Sequence, residues 1–185
     1  VARVHLKLET SILVVIDVQE KLLPAVWEAE RVQRQIEFIT RAARILGVPV
    51  LGTEQNPGKM GSTPSSVRDQ FSDPAVAKMT FSAWADGSFR AALGDSGRNQ
   101  VVLCGLETHI CIGLTAFDLL DEGFDVVVCP DAVSARNVER HKLGMERIRD
   151  AGAVPAHTES VVYEWLGSAE NPSFRTILGL VKEYA

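Results

Sequence analysis

The chain has 185 residues, about one domain's worth, and nearly half of them are apolar, enough for a packed core. Its net charge of −5, with no Lys/Arg run, argues against a nucleic-acid partner, and no apolar stretch approaches the ~18 to 20 residues of a membrane span. Three cysteines are too few, and odd in number, for a disulfide framework; with no signal-peptide architecture in residues 1–8, a reducing, cytoplasmic setting is expected.

In chain order, residues 11–18 form an apolar run that reads as a buried strand, broken by Asp17 near its C-terminal end. In an open parallel sheet the ligand crevice lies outside the carboxyl ends of the strands, so Asp17 is either a catalytic acid or base or a cap for the next segment; spacing does not choose. A short segment, read as helical, leads through Gln19 and Glu20 to Trp27. Residues 30–46 then carry a helical period through Val32, Ile36, Ile39, Ala43 and Leu46, stopped by Gly47 and Pro49. Residues 48–53 give a second strand, and 54–61 a loop punctuated by Pro57, Gly58 and Gly61 at the functional rim. Thr63-Pro64 opens a short helix to Phe71.

Residues 76–84 read as a third strand or an irregular one, interrupted by Lys78. A lysine there either snorkels to solvent or, held beside a thiol and a carboxylate, has a chemical role. A small helix (88–93) and a loop (94–97) lead to the strand 101–104, ended by Gly105. From Cys111 a helix-period pattern runs through Ile112, Leu114, Phe117, Leu119 and Leu120 to Gly123. Cys111 is therefore either a thiol activated at a helix N-terminus or a small buried hydrophobe. His109, two residues away, is a poor base for it, because side chains so spaced diverge across such a junction. Residues 124–129 form a fifth strand ending at Pro130, 137–151 a helix with Asn137 as N-cap, and 154–156 a sixth strand. Helices follow from Thr158-Glu159-Ser160 through Leu166, and from Asn171-Pro172 through Tyr184. Strands alternating with helices predict a doubly wound, mainly parallel α/β sheet in one domain, 1–185.

A Gly-x-Gly-x-x-Gly turn, a Walker loop, a Gly-x-Ser-x-Gly elbow and a His/Cys pair at firm metal spacing are all missing from the sequence. What remains is Asp17, Lys78 and Cys111, each near the C-terminal end of a different predicted strand. With the stretches Ile16 to Glu20, Lys78 to Ser82, Gly105 to Cys111 and Asp131 to Val133, this constellation strongly resembles the isochorismatase-like cysteine hydrolases. The closest likeness is to the isochorismatase domain-containing branch, through residues 53–57 and 158–160.

The resemblance implies a three-layer α/β/α, six-stranded, Rossmann-like hydrolase fold and a homo-oligomer, a dimer or larger. It also implies a mechanism. Cys111 would attack a small-molecule amide or related acyl substrate and form a thioester, its thiolate favoured by the helix N-terminus and by Lys78. Asp17 would take the thiol proton and later activate water, and Lys78 would pair with Asp17. A cis peptide at Leu106–Glu107 would turn the Glu107 N–H, beside that of Cys111, into an oxyanion hole. Nicotinamidases of the family bind a metal through an Asp-x-His pair where this chain has Thr53-Glu54-Gln55, so no metal and no cofactor are expected. Gln19, Glu54, Gln55, Phe81 and Trp84 are candidates for substrate binding. Two other readings use the same residues: a binding protein that retains the triad with little turnover, and a thiol redox sensor at Cys111. The sensor lacks an evident resolving partner, because Cys104 and Cys129 fall in predicted strands.

Overall fold

A computed structural model describes residues 4–184, so the first three residues of the opening stretch lie outside it. Six parallel strands form one sheet in the order β3-β2-β1-β4-β5-β6: β1 (Ser11–Ile16), β2 (Val50–Gln55), β3 (Val76–Lys78), β4 (Gln100–Leu106), β5 (Asp125–Ser134) and β6 (Val154–Pro155). Between them run α1 (Ala29–Leu46), α2 (Pro57–Met60), α3 (Ser65–Arg68), α4 (Gly87–Asp95), α5 (Gly113–Asp121) and α6 (Val138–Asp150), and after β6 come α7 (Thr158–Leu166) and α8 (Phe174–Tyr184).

The period of two in each strand sorts its side chains between two cores. Leu13, Val15, Val102, Cys104 and Val127 face α1, α7 and α8; Ile12, Val14, Val101, Leu103 and Val126 face α4, α5 and α6. Both faces are covered, which is why β1 and β4 are apolar almost throughout and why the predicted three-layer doubly wound arrangement forms.

Strand order reverses between β1 and β4. The two strands pair from Ser11↔Gln100 to Ile16↔Gly105. At Gly105 (φ +118°) an added Cβ would stand 2.1 Å from the Ile16 carbonyl oxygen. Only glycine allows this close approach. Gly105→Ala is expected to cost about 3 kcal/mol or more, which for a chain of this size lowers Tm by about 10 °C in a thermal melt.

Two strands differ from expectation, and the expected 54–61 loop instead carries the end of β2 and the short helix α2. The fifth strand does not end at Pro130: β5 continues to Ser134, and its register on β4 slips between Leu103↔Val128 and Gly105↔Val133. Pro130, which has no N–H to donate, falls inside that bulge. The third strand is only three residues long, and the chain from Met79 to Asp86 is irregular. Other boundaries move by a few residues; α8 begins at Phe174 rather than at Asn171, whose side chain accepts from the Ser173 N–H instead.

Candidate active site

β1 ends at Ile16, and Asp17 turns the chain with a left-handed backbone (φ 52°), a conformation that Asp tolerates better than most residues. Its N–H donates to the Thr53 carbonyl (3.1 Å), which ties it to the end of β2. The carboxylate is fully buried. Oδ1 accepts from Thr53 Oγ1 at 2.7 Å and Oδ2 from Lys78 Nζ at 2.7 Å.

Lys78, the last residue of β3, is 1% exposed and does not snorkel. Besides Asp17, its ammonium is within hydrogen-bond distance of Gln55 Oε1 (2.8 Å) and the carbonyls of Thr80 (3.1 Å) and Phe81 (3.3 Å). A buried ion pair is tolerable only when its remaining donors and acceptors are met, and the irregular backbone after β3 supplies them. α5 in turn grips that backbone: Ala83 N–H donates to Thr115 Oγ1 (2.9 Å) and Ser82 Oγ to Asp118 Oδ2.

Cys111 lies not in the first turn of α5 but in a π-helical turn, Thr108–Ile112, inserted between β4 and that helix. Such turns are rare and concentrate at functional sites. Gly113 closes this one, its N–H reaching the Thr108 carbonyl, which a Cβ there would crowd at 3.2 Å. His141 on α6 holds the turn through a hydrogen bond between Nδ1 and Thr108 Oγ1 (3.0 Å). The Leu106–Glu107 peptide is cis, as the resemblance implies.

The expectation of a thiol already favoured as thiolate is reversed. Burial pushes the Cys111 thiol up to about 12, the charge of Asp17 pushes the same way, and Lys78 opposes both without outweighing them. The resting group is a protonated thiol facing a carboxylate. His109 is also held neutral, its pKa lowered mainly by burial, and it is absent from the pocket.

Asp17 and Cys111 line one pocket of about 170 Å³, with Gln55, Glu107 and the apolar side chains of Leu22, Met60, Phe81, Leu106 and Ile110. Larger hollows exist, one of about 480 Å³ between β2 and α4 and one of about 500 Å³ beside Arg68, but neither is lined by a cysteine. Among the described residues no group of His, Cys, Asp and Glu is arranged to hold a metal ion.

Of the residues singled out in the sequence, Asp17, Lys78 and Cys111 converge, and Gln55, Phe81 and Glu107 border the pocket with them. Three candidates for substrate binding do not. Gln19 is buried and spent on structure: its amide donates to the Gly61 (2.7 Å) and Gln55 (3.1 Å) carbonyls and accepts from the Gln55 N–H. Glu54 accepts from the N–H and hydroxyl of Thr63, away from the pocket. Trp84 packs edge-on against Phe124 at 5.5 Å. Sequence reasoning missed Thr53 as a partner of Asp17, because the contact depends on the β1–β2 register, and missed Leu22 and Met60, which loop geometry alone brings in.

The molecule is thus a doubly wound α/β protein that presents a thiol, a carboxylate and an ammonium at the carboxyl ends of its strands. A family model for the isochorismatase domain matches residues 11–160. The secreted isochorismatase effector Isc1 of Phytophthora sojae is 37% identical over 180 residues, covering 95% of this chain and 86% of that protein. The MAR1 ribonuclease from Caenorhabditis elegans superposes with a TM-score of 0.90 at 28% identity, over 97% of this chain and 93% of that one. The YcaC protein of Escherichia coli, described as an octameric hydrolase of unknown specificity, superposes at 0.93 with 23% identity, over 99% and 94%, a likeness of fold. The chain belongs to the isochorismatase-like hydrolase family.

Proposed function

We propose that the protein is a metal-independent cysteine hydrolase of small-molecule amides or related acyl compounds. The observation that carries this reading is the buried Lys78–Asp17 pair, 2.7 Å long, in contact with the pocket that holds Cys111. As the Cys111 sulfur bonds to the acyl carbon, its proton passes to Asp17, since burial and the charge of Asp17 keep the resting thiol protonated. The oxygen charge that develops is met by the N–H groups of Glu107 and Cys111. The C–N bond then breaks, and the amine leaves with the proton from Asp17. In the second half, water attacks the thioester and gives its proton to Asp17; the C–S bond breaks and the thiol is restored. The sum is amide plus water giving acid plus amine.

The size of the pocket supports a small substrate, well below the roughly 300–1,000 Å³ of sites for drug-sized ligands. With the net charge of −5 it weighs against carrying over a ribonuclease activity. The raised thiol weighs against a redox sensor, whose reactivity requires an accessible thiolate, and Cys104 and Cys129 are wholly buried with thiols likewise pushed up. Three free cysteines support a reducing compartment, the cytoplasm. The octamer described for YcaC and the exposed Met79 and Phe81 support a homo-oligomer, expected as a dimer or larger by light scattering.

The test is intact mass after incubation with a panel of small amides, wild type beside Cys111→Ala. A Cys111-dependent acyl adduct is expected, and its mass identifies the acyl group. Equal turnover by Cys111→Ala overturns the reading.

A further inference from the structure

The pocket's charges are arranged unevenly around the thiol. Asp17 and Lys78 form a closed pair in which Lys78 does not outweigh Asp17 at the sulfur, and every proton of the ammonium has an acceptor at hand. Glu107 is the other ionised residue lining the pocket. Its side chain is only 14% exposed, and its carboxylate is held by Arg136, whose N–H and Nε donate to Oε2 at 2.9 and 3.1 Å. The Glu107 charge is felt at the Cys111 sulfur, where it raises the thiol further. Arg136 is half exposed and does not line the pocket, whereas Glu107 does. The remaining wall is Leu22, Met60, Phe81, Leu106 and Ile110.

From this arrangement we infer that Glu107 is a specificity-determining residue that reserves the pocket for uncharged acyl groups with small apolar substituents, and turns away anionic ones. The inference rests on the proposed function and names the substrate class of that site. A carboxylate entering here would lose water to an apolar wall, meet no uncommitted cation, and approach a fixed negative charge. A neutral amide loses much less on leaving water than a carboxylate does, is not repelled by Glu107, and keeps the apolar contact.

Iodoacetamide and iodoacetate test it, being nearly equal in size and differing in charge. Alkylation of Cys111 is followed by peptide mass, and each rate is divided by that of 2-mercaptoethanol with the same reagent. In the wild type iodoacetamide is expected to win by about tenfold or more after this correction. Glu107→Gln removes the negative charge and uncovers Arg136, so the ratio is expected to fall by about tenfold. It also lowers the thiol pKa and speeds both reagents, an effect that cancels in the ratio. Arg136→Gln, which bares Glu107, is expected to widen the ratio, and Glu107→Asp to keep it; these serve should Glu107→Gln fold poorly. A wild-type ratio near one, or a ratio that neither Glu107→Gln nor Arg136→Gln moves, overturns the inference while leaving Cys111 as nucleophile. Failure of both reagents to label Cys111 overturns the proposed function and this inference together.

Discussion

Asp17→Asn is expected to make Cys111 more reactive toward a simple alkylating agent while nearly abolishing turnover. The two effects have one cause. In the wild type burial pushes the thiol up to about 12 and the charge of Asp17 adds to this, against Lys78, so the thiol is protonated at pH 7. Replacing the carboxylate by its amide removes the negative charge that adds to the effect of burial and leaves the ammonium, which lowers the thiol. The thiolate fraction at pH 7 therefore rises. Each tenfold gain in thiolate costs roughly threefold in intrinsic nucleophilicity, so a net gain of about threefold survives per tenfold. Iodoacetamide labelling at pH 7 should rise severalfold, and its pH profile should level off at a lower pH. Amide turnover needs more than a thiolate: the proton must move to Asp17 during attack and return to the leaving amine. Loss of that group is expected to cost about 10² to 10⁴ in kcat/KM. Asparagine tolerates the left-handed backbone at this position as aspartate does, so the turn is kept, but the buried Lys78 ammonium loses its partner and the variant is expected to melt below the wild type. Labelling that slows, or turnover kept within tenfold of wild type, would show that Asp17 is not the base.

The same electrostatics explain which parts of the site were legible in the sequence. Asp17, Lys78 and Cys111 could be found because each is a polar residue out of place beside an apolar strand. The fold was legible for a related reason: strands such as β1 are apolar almost throughout because both faces of the sheet are covered. The protonation state of Cys111 was not legible. A helix start is visible in sequence, but the π turn that carries the thiol away from it, and the degree of burial, are tertiary facts. Gln19, Glu54 and Trp84 lie close in sequence to the site yet serve the scaffold, since a loop residue's direction is set by the backbone atoms it must satisfy. Glu107 was picked out for its N–H; the partnership of its carboxylate with Arg136, 29 positions further on, has no sequence signal.

Lys78→Met is expected to be the most destabilising substitution in the site. Methionine fills a similar volume but leaves the Asp17 carboxylate without its cation in a fully buried position, and strands the carbonyls of Thr80 and Phe81. Breaking one side of a buried pair costs about 3–5 kcal/mol, which at this chain length lowers Tm by roughly 10 °C or more. The effect belongs to the unpaired charge rather than to the lost contact. It follows that Asp17→Asn, added to Lys78→Met, should recover more than half of the loss, since the double variant buries two neutral groups. The thiol moves too: without the ammonium its pKa rises further, so labelling of Cys111 at pH 7 should slow in Lys78→Met, opposite in sign to Asp17→Asn. A urea melt and an iodoacetamide time course on the three variants measure both. Additive losses in the double variant would mean that the two groups are not coupled, and the ion pair would then be a packing contact rather than the device that holds a base beside the thiol.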